Sequence, residues 1–241
     1  MIKGWHHRTR GVSLPTLSNL MTSAIIVAAG GSRRMGFNKL LASLAGAPVL
    51  HRTLGEFQAC DDIAEIVLVA GEEVRAAVEQ WQTEGHLTKL RAIVPGGTER
   101  HFSVWAGLQA ISAEATLVAV HDGARPLIRP EQISRCIAQA SATGAATCAR
   151  PMSETLKRAD AAGSITETID RDGVWVMETP QVFNRALLVK AYEAVLAAGA
   201  LVTDEVSAVQ MLGQAVQVVD DPWPNPKITF PADLTLAERL L

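Results

Sequence analysis

The sequence predicts an α/β protein, a mainly parallel sheet with helices on both faces, and three observations carry that expectation. Short apolar runs alternate with longer stretches of helical period. Each run ends at glycine or turn residues, and polar clusters gather just after the runs, where loops leave the C-terminal ends of parallel strands. The expected layout is Rossmann-like, with one polar β-hairpin projecting from it as an arm.

Taken in order, Ala24-Ile25-Ile26-Val27 is short, apolar and followed by glycines, so it reads as a buried strand. It opens into Ala28-Ala29-Gly30-Gly31-Ser32-Arg33-Arg34-Met35-Gly36-Phe37-Asn38-Lys39. Residues 65–70, 90–94 and 116–120 are further strands, separated by helices over 72–82 and 98–111. Thr98 is placed to cap the second helix, whose apolar face reads as Phe102, Trp105, Leu108 and Ile111. From residue 150 the pattern changes. Residues 152–158 and 165–173, around a turn at 160–163, are polar on both faces and cannot bury themselves, so about 150–175 is expected to project as a lid or as an arm embracing a second subunit. A helix over 185–198, another after Thr203-Asp204-Glu205, a last strand over 216–219 and a loop carrying Lys227 complete the domain, 23–241. Residues 1–22 carry Lys3, His6, His7, Arg8 and Arg10 without apolar periodicity and are expected to be a disordered extension, with Met21 an alternative start.

Composition narrows the function. With 241 residues, 48% of them hydrophobic, the chain can bury a full core. A net charge of −3 argues against a dedicated nucleic-acid binder, and no apolar run approaches the 18 residues of a membrane span. Cys60, Cys136 and Cys148 are too widely spaced for a zinc site or disulfide framework, which fits a reducing cytoplasm.

Three loops carry the chemistry. In the first, glycine backbone can approach phosphate oxygens while Arg34 and Lys39 supply charge, the pattern of a polyphosphate site. It is not a Walker A box, because Phe37 and Asn38 follow Gly36 where Lys and Ser/Thr are needed, and it lacks the third glycine of a dinucleotide fingerprint. In the second, Pro95-Gly96-Gly97-Thr98-Glu99-Arg100, the glycines serve a tight turn or admit a flat base, with Ser103 reaching the base or its sugar. In the third, His121-Asp122-Gly123-Ala124-Arg125-Pro126, Asp122 is a candidate Mg²⁺ ligand facing the phosphate loop, or an ion-pair partner of Arg125. His121 reads as a packed strand-end side chain.

In sequence order these clusters resemble the 2-C-methyl-D-erythritol 4-phosphate cytidylyltransferase family. The match runs from about Ala24 onward: the Ala-Ala-Gly box and its lysine, Gly96 to Ser103, His121 to Pro126, Asp170 to Trp175, Thr179 to Gln181, Thr203 to Ser207 and Lys227 to Thr229. Ser32 replaces the box's second glycine, Val27 a common proline and Thr98 an acidic residue. The resemblance implies CMP transfer from CTP to a phosphorylated polyol, assisted by Mg²⁺ or another divalent cation on Asp122. It assigns Arg34, Lys39 and Lys227 to catalysis, and Ala28, Ala29, Gly30, Gly31, Gly97, Thr98 and Ser103 to the nucleotide. Thr155, Arg171, Thr203, Asp122 and Arg125 fall to the polyol, with Thr155 and Arg171 supplied by the arm of a second subunit in a homodimer. A ribitol 5-phosphate cytidylyltransferase and a catalytically silent nucleotide-binding relative are the alternatives.

Overall fold

The computed structural model describes residues 20–31 and 35–241. The expectation of disorder for the N-terminal extension therefore falls largely outside the described residues, as do Ser32, Arg33 and Arg34. The elements in chain order are β1 (Thr22–Ala28), β2 (Ser43–Leu44), β3 (Ala47–Pro48), α1 (Val49–Ala59), β4 (Glu65–Ala70), α2 (Glu72–Thr83) and β5 (Leu90–Pro95). Next come α3 (Arg100–Ala110), β6 (Leu117–Asp122), α4 (Pro130–Thr143), β7 (Ala145–Pro151), β8 (Leu156–Ala159) and β9 (Ile165–Ile169). The chain continues with β10 (Trp175–Asn184), α5 (Arg185–Ala198), α6 (Glu205–Gln210), β11 (Gln217–Asp220) and α7 (Pro231–Leu240).

Seven strands form one sheet in the order β11-β7-β10-β6-β1-β4-β5. All its pairings are parallel except those of β10, which runs antiparallel to β6 and β7. Strand alternation splits the core into two layers. Ala24 and Ile26 of β1 face α1, α2 and α4 through Leu50, Leu54, Phe57, Val78, Ile133 and Ile137. Ile25, between them, faces α3, α5 and α6 through Val104, Leu108, Leu188, Tyr192 and Val209. β4 and β6 are buried at every residue, as strands covered on both faces must be.

Several local expectations need correction. α3 starts at Arg100 with Glu99 as an N-cap whose side chain makes no capping bond, so Thr98 lies before the helix and does not cap it. The buried face of α3 is His101, Ser103, Val104, Gly107 and Leu108, whereas Phe102 is 40% exposed. β6 extends two residues beyond Val120, which makes Asp122 its last residue. α1, α4, α7, β7 and β10, with the two-residue strands β2 and β3, are elements that the sequence pattern does not predict. Gly144, at φ 86°, ends α4 in the left-handed conformation that favours glycine. In β10 the pairing with β7 slips between Met177 and Gln181, which accommodates Pro180 inside a strand.

β8 and β9 form an antiparallel hairpin with Lys157 opposite Thr168 and Arg158 opposite Glu167. Ile165 at the start of β9 is 68% exposed. The root of the hairpin is continuous with the sheet, through Trp175 opposite Pro151.

Candidate active site

The sheet reverses its winding between β1 and β6. From β1 the chain proceeds outward through β4 and β5, then returns to place β6 on the other side. Such a reversal leaves a crevice at the strands' C-terminal ends, where open α/β sheets bind ligands. Register fills that crevice with chemistry: Val27 pairs with Asp122, so the carboxylate ending β6 sits beside the loop that leaves β1.

A cleft of about 650 Å³ opens there. It brings together Ala29, Gly30, Gly31 and Lys39 from the first loop, Gly97, Thr98 and Ser103 from the second, Asp122 from the third, and Lys227. Ala28, 3% exposed, lies within the sheet just before it. A Cβ at Gly30 or Gly31 would touch nothing within 4 Å, so packing does not demand glycine at either; the space kept open is the mouth of the cleft. Gly96 and Gly97 are different. A Cβ on Gly96 would lie 2.2 Å from Ala29 Cβ, and one on Gly97 2.4 Å from Phe102 Cβ, so these glycines let the second loop press against the first and against its own helix. Ser103 Oγ accepts from Gly97 N at 3.1 Å and donates to Glu99 O at 3.3 Å, bracing this loop.

Asp122 is 7% exposed and ringed by cations. Lys227 Nζ donates to Oδ2 at 2.8 Å, Arg100 Nε to Oδ1 at 3.3 Å, and Arg125 Nε stands 3.6 Å from Oδ2. Burial opposes its charge, but Arg100, Lys227 and Arg125 outweigh burial and hold the carboxyl well below the usual carboxylate range. The sequence left a choice between an ion pair with Arg125 and a ligand facing the cleft; the structure shows the pair, at 3.6 Å, and sets the carboxylate in the cleft lining. Arg100 in turn forks onto Glu205, NH1 to Oε1 at 2.6 Å and NH2 to Oε2 at 3.0 Å. Burial disfavours the Arg100 charge, and Glu205 followed by Asp122 more than reverses this, so its pKa is raised.

The loop bearing Lys227 is pinned into place. Ile228 N donates to Ala124 O at 2.8 Å, Arg125 NH1 to Asn225 O at 2.7 Å and Asn225 Nδ2 to Thr179 O at 2.7 Å. Lys39 Nζ reaches across to Ile228 O at 2.6 Å, so the first loop and this last one meet over the cleft. His121 is fully buried against Phe57, with Nδ1 3.0 Å from Thr179 Oγ1 and Nε2 3.2 Å from Arg125 O. Burial lowers its pKa to about 3, so it is a neutral packed histidine, as its sequence context indicates.

Other expected residues lie elsewhere. Arg34 is outside the described residues. Arg125 lines a second cleft of about 500 Å³ with Glu178, Asp221 and Trp223, which shares Lys227 with the first. Thr155 and Arg171 are exposed on the arm, where Arg171 NH1 donates to Ser153 O. Thr203 is exposed before α6, its hydroxyl 3.4 Å from Ser207 Oγ. Sequence reasoning gave no role to Arg100, Glu205 or Tyr192. The visible signal is that Arg100 and Glu205 each fall within one of the sequence clusters, Gly96 to Ser103 and Thr203 to Ser207, with nothing in either to pair them.

A family model described as 2-C-methyl-D-erythritol 4-phosphate cytidylyltransferase matches residues 22–241. A protein of that name from Symbiobacterium thermophilum is 42% identical over 223 residues, 91% of this chain and 92% of its own. One from Geobacillus kaustophilus is 38% identical over 220 residues, 90% and 96% of the two chains. Among solved structures, the 4-diphosphocytidyl-2C-methyl-D-erythritol synthase of Anaerococcus prevotii superposes with a TM-score of 0.82 at 30% identity, covering 92% of this chain and 96% of its own.

Proposed function

Because the chain belongs to the 2-C-methyl-D-erythritol 4-phosphate cytidylyltransferase family, we propose that its strand-end cleft is where CMP passes from CTP to 2-C-methyl-D-erythritol 4-phosphate. The observation that carries the placement is the meeting of Lys39, Asp122 and Lys227 with two glycine loops in one cleft at the sheet's reversal. A phosphate oxygen of the polyol attacks the α-phosphorus of CTP. The bond from that phosphorus to the bridging oxygen of the β-phosphate breaks, and pyrophosphate leaves with the electron pair. The nucleophile is already anionic at neutral pH, so no protein base or covalent intermediate is required. The protein's task is to align the two phosphates and balance the charge that gathers on them.

Each cleft residue has a part in this. Backbone of Ala28 to Gly31 faces the triphosphate, joined by Arg34 and Lys39. Gly97, Thr98 and Ser103, which line the same cleft, receive the cytidine end. Lys227 meets the α-phosphate from the opposite side of the cleft.

The donor set fits a divalent cation: Asp122 is ionised, lines the cleft and is joined there by phosphate oxygens when nucleotide is present. Among the described residues no cluster of three or more His, Cys, Asp or Glu could hold a metal, so such a cation would take its remaining ligands from phosphate and water. When bound, it would screen the triphosphate and polarise its oxygens. Lys227 would then exchange Asp122 for substrate phosphate. Thr155 and Arg171 of a second copy, and Thr203 and Arg125 of this one, would receive the polyol phosphate. The three cysteines are free and buried, and no helix among the described residues is long and apolar enough to cross a membrane, which supports a cytoplasmic setting.

The test is pyrophosphate release from CTP with either 2-C-methyl-D-erythritol 4-phosphate or ribitol 5-phosphate. Turnover is expected with the first. Turnover with ribitol 5-phosphate alone would overturn the substrate, and none with either would favour the silent relative.

A further inference from the structure

Glu205 is buried more completely than its place in the chain requires. It is the first residue of α6, where Asp204 already serves the helix start by accepting from Ser207 N at 2.9 Å. Its carboxylate is 0% exposed, and Tyr192 OH donates to Oε1 at 2.9 Å beside the two Arg100 bonds. Gln181 Oε1 holds the backbone from below, accepting from Glu205 N and Val206 N, each at 3.1 Å. An enclosed ion pair of this kind adds little net stability over well-packed apolar side chains, so its value lies in what it holds still.

What it holds is the plane of a guanidinium. Arg donors form a rigid fork. With NH1 and NH2 committed to Glu205, the remaining Nε points at Asp122 Oδ1, 3.3 Å away. The other Asp122 oxygen takes its hydrogen bond from Lys227, whose side chain is 39% exposed, with Arg125 Nε standing farther off at 3.6 Å. One oxygen is thus tied to a cation that is locked in place, and the other to one with room to move.

We propose that Glu205 is a positioning residue which, through Arg100, fixes the plane of the Asp122 carboxylate and leaves Oδ2 as the oxygen that Lys227 can surrender when nucleotide binds. The proposal rests on the cleft being the nucleotide site. With Glu205 neutralised, Arg100 is free to turn both nitrogens onto Asp122 and occupy Oδ2 as well. Position, rather than overall charge, is what the pair supplies.

Glu205→Gln keeps the size and one acceptor. It should lower kcat on the order of tenfold while KM for each substrate stays within about twofold, since loss of alignment acts on the chemical step. The deciding measurement is a double-mutant cycle. In an Asp122→Asn background, Glu205→Gln should cost no more than about twofold further in kcat, because residues acting as one unit are not additive. If the two losses multiply, or if Glu205→Gln lowers only the unfolding midpoint and leaves kcat intact, the proposal is overturned. Should Glu205→Gln fail to fold, Arg100→Lys gives the same cycle: it keeps the charge facing Glu205 but cannot bridge to Asp122. A wild-type protein that releases no pyrophosphate would refute the nucleotide reading itself, a separate outcome.

Discussion

The cleft and the arm contain similar residues, Arg, Lys, Thr and acids, yet they are built in opposite ways. In the cleft, partners come from far apart in the chain: Lys39 and Ile228 are 189 residues apart, Asp122 and Lys227 105, Arg100 and Glu205 105. On the arm, partners are close in sequence. Lys157 Nζ donates to Thr168 Oγ1 at 2.6 Å, Arg158 Nε to Glu167 Oε2 at 2.8 Å, and the separations are 11 and 9 residues. Long-range partners can hold a charge still in partial burial. Local pairs in full solvent cannot, because water and salt compete with them. Arg171, bonded to Ser153 O on the same arm, belongs to this second kind.

Four measurements separate the rigid cleft from the solvent-borne arm. Acid should act first beneath the cleft, where burial lowers the pKa of His121 to about 3 from 6.5. Between those values the unfolded chain binds a proton that the native state does not. Stability contributed by this residue is therefore level above pH 6.5 and falls as pH drops, by about 1.4 kcal/mol per pH unit. Urea unfolding in divalent-free buffer at several pH values should show that slope, reduced by the same amount in His121→Asn. Equal slopes in the two proteins would mean the ring is not buried neutral.

Next in size is Lys39→Ala, which should raise the barrier by about 3 kcal/mol, the typical loss for one donor aimed at transition-state charge. Steady-state kcat is the readout, and near-normal turnover would remove Lys39 from the chemistry. Arg171→Ala should weaken polyol phosphate by roughly 2 kcal/mol, as expected for a charged hydrogen bond, with KM for CTP unchanged. If the arm serves a second subunit, mixing Arg171→Ala with Lys39→Ala protein under subunit exchange should restore some activity, and no recovery would place both residues in one chain's site. Arg158→Ala, at an exposed pair on the hairpin, should change folding stability by less than about 0.5 kcal/mol in thermal or urea melts. A larger loss would show that the arm is held by more than its own local bonds.

Sequence reading served the two regions unequally. Lys39 and Asp122 are legible because a charged residue just after an apolar strand, or beside glycines, has few other uses, whereas the role of Lys227 comes from the family resemblance. Parallel strands β1, β4, β5 and β6 are legible from their apolar runs, whereas β7, with its small residues Ala145-Ala146-Thr147-Cys148-Ala149, is not. β10 was not, because Thr179-Pro180-Gln181 breaks the run and only the slipped register with β7 makes room for it. α4 had the apolar spacing Ile133, Cys136, Ile137 and Ala140, with Pro130 at its first position. Thr98 looks like a cap because threonine often is one, but Glu99 holds the N-cap position and the helix begins at Arg100. The Arg100–Glu205 pair could not be read at all, since it exists only where the starts of two helices meet.

The bond from Lys39 to Ile228 also bears on how the chain is made. A ribosome delivers the glycine loop early and the segment that covers it nearly two hundred residues later. Until that segment has emerged and docked on Ala124, a growing chain has only one side of the cleft proposed for the nucleotide. Partly synthesised or partly folded molecules should therefore be unable to spend CTP, so the last loop to arrive acts as a built-in check that the rest of the domain is in place.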